Sequence, residues 1–223
     1  MRKKCDRSTS PPAPDLSLES ALWANHLEYI AGIDEAGRGA WAGPVTAAAV
    51  ILPCDLHIIE IFNGVRDSKQ LSPVKRGLLA PLIKRHALAW GVGFADNIEI
   101  DQYGIIFATQ LAMMRAITTL SSKPEHLLID ALFLPEVETA QTSLIKGDQR
   151  SLSIAAASIL AKTTRDAWMI EIQEEYPAYR FDRHKGYGTR LHQEQLHAEG
   201  ACPLHRRTYQ PVFEIIKKKE CED

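Results

Sequence analysis

Hydrophobic residues along this chain fall into short continuous or alternating runs separated by longer stretches of helical period, the pattern of a layered α/β protein. Residues 29–34 and 45–52 read as buried strands, 90–95 as extended, and 127–132 and 144–146 as two further short strands. Helical signals occupy 16–27, 72–88, 98–120, 153–174 and 189–199. Ser72 and Pro73 supply an N-cap and a first-turn proline for the second of these. In the third, Ile105, Ile106, Ala108, Leu111, Ala112 and Met113 are available to a sheet. The glycine-rich stretch 180–188 reads as a loop, and the chain ends in a packed helix around Gln210, Phe213 and Ile216.

Acidic residues break this pattern where apolar strands end. Ile33-Asp34-Glu35-Ala36-Gly37-Arg38-Gly39 puts two adjacent carboxylates at the exit of a buried strand, directly before a Gly-Arg-Gly turn. Two neighbouring acids where core meets surface repel each other and lack a counter-charge, so a bound cation accounts for them; a solvated turn acid is the plainer alternative. Consecutive strand residues point to opposite faces, so Glu35 joins Asp34 only if the strand breaks there. Asp130 ends the run Leu127-Leu128-Ile129 and shares a face with Leu128 and Leu132 by alternation, unless it merely punctuates the strand. Asp166 lies on the alanine-rich helix in line with Ile159, Lys162, Met169 and Ile170. An i, i+4 ion pair with Lys162 is its other reading, and the helix composition favours a buried setting.

Asp34, Glu35, Asp130 and Asp166 make an all-oxygen ligand set with no cysteine or histidine at metal spacing, which selects magnesium or manganese over zinc. Clusters of this kind hold two divalent ions about 3.5–4 Å apart for phosphoryl transfer, so a phosphodiester is the expected substrate. Catalysis then needs no histidine as general base.

Taken with Trp41-Ala42-Gly43-Pro44-Val45, Asp67-Ser68-Lys69, Lys146-Gly147-Asp148, Arg165-Asp166 and His184-Lys185-Gly186-Tyr187-Gly188-Thr189, these motifs resemble ribonuclease HII, the bacterial type 2 ribonuclease H, in order from Tyr29 to Pro211. The resemblance implies a ribonuclease H-like fold: a mixed central β-sheet flanked by helices, with a C-terminal helical extension. It implies divalent metal dependence, cleavage of the RNA strand of RNA/DNA hybrids, and incision 5′ of ribonucleotides embedded in duplex DNA, with roles in ribonucleotide removal and primer processing. Position by position it marks Asp34, Glu35, Asp130 and Asp166 as metal-binding catalytic acids. Gly37, Arg38, Gly39 and Tyr187 are marked as the reader of the ribose. A glycine turn lets the backbone approach a sugar, and only the 2′-hydroxyl separates RNA from DNA there. Lys69, Lys146, Lys162, His184 and Lys185 are further candidate substrate contacts, and Arg38 is a candidate phosphate clamp. The chain departs from the family pattern at Ala40 and 178–180, outside the catalytic set.

Composition narrows the setting. The 223 residues carry 26 Lys plus Arg against 28 Asp plus Glu, a net charge of −2, so affinity for nucleic acid rests on local clusters such as Arg180, Arg183, Lys185 and Arg190. The length suits a single catalytic domain over 15–223 after a flexible, proline-rich tail at 1–14 that lacks the apolar core of a signal peptide. Four cysteines without paired spacing fit the cytoplasm, and no run is long enough for a membrane span. A monomer is expected. Gln210, Phe213 and Ile216 also outline a sliding-clamp peptide, without the aromatic pair such peptides use. A phosphotransferase on a related sheet would need glycine-rich phosphate loops that the chain lacks, and a non-catalytic hybrid-binding module would tolerate loss of an acid.

Overall fold

The computed structural model describes residues 13–220, so the tail expected at 1–14 lies, but for Ala13 and Pro14, outside the described residues. The first half of the chain forms α1 (Ser17–Trp23), β1 (Ile30–Ala36), β2 (Val45–Ile51), a single turn α2 (Ile58–Ile61), α3 (Pro73–His86), β3 (Ala89–Ala95) and α4 (Asn97–Tyr103). The second half forms α5 (Ile105–Thr118), β4 (His126–Asp130), β5 (Ala140–Leu144), α6 (Leu152–Glu171), α7 (Phe181–His184), α8 (Arg190–Glu199) and α9 (Gln210–Glu220). The five strands make one mixed sheet in the order β3-β2-β1-β4-β5. β1, β2 and β3 pair antiparallel, while β4 pairs parallel with both β1 and β5. This is the layered α/β arrangement that the strand and helix pattern predicts, and the mixed sheet with flanking helices that the resemblance implies.

Three elements differ from expectation. The helix expected over 98–120 is two helices, because Gly104 at φ 80° ends α4 and starts α5. Ile106, expected on the sheet side, is 57 % exposed, while Ala108, Ala112 and Met113 are fully buried. The strand expected at 144–146 runs instead from Ala140 to Leu144. Its half-exposed Gln141 and Thr142 and exposed Ser143 at the sheet edge hide it from a hydrophobic reading, and Lys146 follows in a left-handed conformation at φ 56°. Within the loop expected at 180–188, residues 181–184 wind one helical turn, α7, bounded by left-handed Arg180 and Lys185.

Parity along β1 decides where the acids go. Ala31 and Ile33 pack with Ala47, Ala49 and the α5 residues Ala108, Ala112 and Met113. Ile30 packs the other way, with Leu128, Leu144 and Ile154 of α6. Even-numbered positions of β1 therefore face α6, and Asp34 falls on that face at the strand end. Gly32 permits the close approach, since a Cβ there would lie 2.2 Å from the carbonyl carbon of Ser153. The first turn of α6 is held by two acceptors. Ser151 Oγ accepts from Ile154 N at 3.2 Å, and buried Glu19 of α1 accepts from Ser153 N at 2.9 Å and from both serine hydroxyls at 2.6 Å. Among the described residues no helix is long and apolar enough to cross a membrane.

Candidate active site and metal centre

Asp34, Glu35 and Asp130 converge so that one carboxylate oxygen of each lies within 4.8 Å of the others. The strand does not break between the two adjacent acids, contrary to the condition set by alternation. β1 stays paired with β2 as far as Ala36↔Thr46, but its pairing with β4 ends at Ile33↔Ile129. Past that point the β4 side of β1 is open, and the longer side chain of Glu35 reaches back to the carboxylates of Asp34 and Asp130. Glu35 N donates to Asp34 Oδ1 at 2.7 Å, and Gly147 N donates to Asp130 Oδ1 at 2.6 Å, so both aspartates are aimed by backbone amides.

The three groups are held at high electrostatic cost. Burial pushes the Asp34 carboxyl well above the usual carboxylate range, and Glu35 and Asp130 add to it against a hydrogen bond from Ser158. Burial also raises Glu35, although the Arg38 guanidinium, 3.3 Å from Oε1, pulls it down. Asp130 is raised by burial against the Gly147 amide. Glu35 Oε2 is buried and has no hydrogen-bond partner in the protein. Three repelling carboxylates and an orphaned oxygen, with oxygen the sole donor type, fit a hard divalent cation of the magnesium or manganese kind.

A fourth acid beside this group is Asp148, which the motif Lys146-Gly147-Asp148 contained but no strand or helix pattern placed. It is buried in the 3₁₀ turn Gly147–Gln149 directly after β5. Burial, then Asp67 and Asp130, push its carboxyl up to about 6. The structure does not bring Asp166 into the three-acid group. Its Oδ1 accepts from Lys162 Nζ at 2.8 Å and its Oδ2 lies 3.5 Å from Arg76 Nη2, so the i, i+4 pair weighed for it in the sequence is present, with a second cation from α3. Burial lowers the Lys69 ammonium, but Asp34, Asp67, Asp148 and Glu35 outweigh it and lift it above its ordinary value.

A cleft of about 430 Å³ opens beside Glu35, which lines it together with Gly37, Arg38, Gly39, Ser68, Lys69, Lys162 and Tyr187 among others. Seven of the predicted site residues thus share one wall-to-wall space. Gly37 has φ 96°, and a Cβ on it would sit 2.1 Å from Arg165 Nε; a Cβ on Gly39 would meet nothing and would project into open space. The Tyr187 ring stands over two cations, Lys162 Nζ at 4.7 Å and Arg165 Cζ at 5.1 Å from its centroid.

Two fully buried arginines, not anticipated from the sequence as site residues, hold the backbone behind the cleft. Arg165 donates to the carbonyls of Pro44, Lys185 and Ala42 at 2.8–3.1 Å. Arg206 donates to those of Gly43, Arg38 and Gly37 at 2.8–3.0 Å. Other expected substrate contacts sit elsewhere. His184 is buried beneath the loop, its Nε2 2.8 Å from Tyr179 O and its Nδ1 accepting from Gly186 N at 3.1 Å. Lys185 Nζ donates back to Asp182 O, and Lys146 is exposed outside the cleft lining.

Comparison with known proteins agrees with this geometry. Among curated relatives, a ribonuclease HII from Chloroflexus aurantiacus is 50% identical over 208 residues, 93% of this chain and 98% of the relative. Another from Bacillus anthracis is 52% identical over 200 residues, 90% of this chain and 76% of the relative. Among solved structures, ribonuclease H2 from Pyrococcus horikoshii matches with a TM-score of 0.71 at 26% identity, covering 86% of this chain and 98% of that one. RNase HII from Archaeoglobus fulgidus, solved as a PCNA complex, matches with a TM-score of 0.67 at 25% identity over 82% and 95% of the two chains. The ribonuclease HII family model matches residues 31–212, spanning every acid and glycine of the site, and the chain belongs to that family of ribonuclease H endonucleases.

Proposed function

We propose that this ribonuclease H cuts the RNA strand of RNA/DNA hybrids and incises duplex DNA 5′ of single embedded ribonucleotides, leaving 5′-phosphate and 3′-hydroxyl ends. The observation that carries the reading is the convergence of Asp34, Glu35 and Asp130 within 4.8 Å at the edge of a cleft lined by Gly37, Gly39 and Tyr187. When bound, two magnesium or manganese ions would supply an activated water and counter-charge for the departing 3′ oxygen. Asp34, Glu35 and Asp130 hold the metal, Asp148 completes the acidic set, and Asp166 orients Lys162 and Arg76 at the cleft edge. Gly39 leaves room for the sugar, Arg38 grips the adjacent phosphate, and Tyr187 packs on the next sugar and tests the RNA-to-DNA junction. Lys69 and Lys162 meet backbone phosphates, so affinity falls as salt rises.

The cleft is complete within one chain, which suits a monomer, and unpaired Cys54 and Cys202 suit the reducing cytoplasm. Phe213, 51 % exposed on α9, is the residue through which a sliding clamp would be engaged. The deciding experiment compares a DNA duplex carrying one ribonucleotide, an all-DNA duplex and a longer hybrid in Mg²⁺ or Mn²⁺. A cut on the 5′ side of the ribonucleotide that falls at least about 100-fold in Asp34→Asn is the expected result. No cleavage of either RNA-containing substrate would leave a binding module and refute the catalytic assignment.

A further inference from the structure

Behind the Tyr187 loop lie three buried imidazoles that no step of the chemistry uses: His184, His192 and His205. Their hydrogen bonds have only one consistent direction. Cys202 N donates to His205 Nδ1 at 3.0 Å, so the neutral His205 ring carries its proton on Nε2. His192 Nδ1 lies 3.1 Å from the carbonyl of Tyr187, which can only accept, so this ring carries its proton on Nδ1. The two Nε2 atoms are 3.1 Å apart, and the assignments made independently at the two ends leave His205 donating and His192 accepting there. His184 is fixed likewise, accepting from Gly186 N and donating to Tyr179 O, and it stacks on His192 with centroids 4.2 Å apart. An added proton on any of the three would set two donors against each other. Burial and mutual repulsion hold His192 down to about 3, and burial holds His205 down to about 4.

Next in sequence to His205 is Arg206, which grips the carbonyls of Gly37 and Arg38. One dipeptide therefore reaches both sides of the cleft. We propose that His205-Arg206 sets the spacing between the Gly37–Gly39 turn and Tyr187, with His205 acting through His192 as a positioning residue for the tyrosine. This rests on the reading of Tyr187 as a substrate contact.

Two measurements test it. In cleavage of the single-ribonucleotide duplex, His192→Phe keeps the ring stack and removes the hydrogen bond to Tyr187, and kcat/KM should fall about 10- to 100-fold, the scale of a small misplacement. His192→Asn, which restores a donor at the Nδ1 position, should recover most of that loss. In a Tyr187→Ala background the His192→Phe change should cost less than about 2-fold, because nothing is left to position. An equal loss in both backgrounds, or an unimpaired His192→Phe enzyme, overturns the proposal. The second measurement is a two-bond ¹H–¹⁵N spectrum of the full chain, with the amides of 186–188 followed in both variants. It should show His192 as the Nδ1–H and His205 as the Nε2–H tautomer, with those amides displaced by His192→Phe and restored by His192→Asn. The opposite tautomers, or undisturbed amides, overturn it without reference to activity. If Tyr187→Ala alone cleaves normally, the reading of Tyr187 fails and the spectra decide whether the histidines hold the loop.

Discussion

Asp148 and Asp166 show how far an acid's role depends on what surrounds it. Asp166 satisfies its charge with Lys162 and Arg76, whereas Asp148 faces Asp67 and Asp130 and is pushed up to about 6. In the unfolded chain an aspartate titrates at about 3.9. The folded state is therefore penalised by ionised Asp148 fully above about pH 6, and the penalty disappears as pH falls below the unfolded value. Without metal, Asp148→Asn should raise Tm at pH 7.5 by about 2–4 °C, with the gain shrinking toward pH 4, and should weaken the response to Mg²⁺. Asp166→Asn should lower Tm at neutral pH, since it leaves the nearly buried Arg76 without its carboxylate. Thermal melts of the two variants with chelator and with Mg²⁺ check both, and a stabilised Asp166→Asn would refute the contrast. Asp34, Glu35 and the glycine turn were legible in the sequence because they end an apolar run, although the strand itself continues through both acids. Asp148 was not, because it sits on a 3₁₀ turn with no periodicity to aim its side chain. Arg165, quoted only as part of a motif, and Arg206 were given no role because nearly all their partners are backbone carbonyls, which leave no trace in residue types.

At the scale of elements, the long buried runs were the readable part: β1, β2 and α6 lie within a few residues of their expected bounds because continuous burial leaves continuous hydrophobicity. What was missed, β5, α7 and the break at Gly104, is set by edge position or positive φ. Two glycines separate local from tertiary constraint. Gly104→Ala meets open space but demands φ 80° and ψ 158°, so it should cost about 1–3 kcal/mol of stability and leave cleavage of a hybrid unchanged. Gly32→Ala drives a methyl into the Ser153 backbone, so it should cost about 3 kcal/mol and reduce activity as well. The reason is that α6 carries Ser158, which hydrogen-bonds Asp34. Urea melts beside kinetics separate the two cases. A Gly32→Ala enzyme of native stability and rate would show that α6 does not set the site.

Across the whole molecule, two buried clusters pull stability in opposite directions as pH changes. His192 and His205 are lowered to about 3 and about 4 from an unfolded value of about 6.5, so the folded state binds fewer protons than the unfolded one between those values. Their contribution is complete above about pH 6.5 and is lost as pH falls; His184, itself lowered by burial, shares this pocket, which Asp182, Lys185, Cys202 and Tyr179 also face. The acids Asp34, Glu35, Asp130 and Asp148 are raised instead, so their strain is greatest at neutral pH and relaxes on acidification. Bound divalent metal reverses only the second effect, because it favours the ionised carboxylates and competes with protons for them. The increment in Tm on adding Mg²⁺ should therefore be large at pH 7.5 and vanish toward pH 5. The metal-loaded protein should lose stability more steeply on acidification than the metal-free one. Melts from pH 4.5 to 8 with chelator or Mg²⁺ measure both slopes, and an increment independent of pH would mean that the raised carboxylates are not the groups that hold the metal. His192→Phe should flatten the acid limb in either condition and leave the Mg²⁺ increment at pH 7.5 unchanged, since the histidines touch the sugar-reading loop and none of the acids.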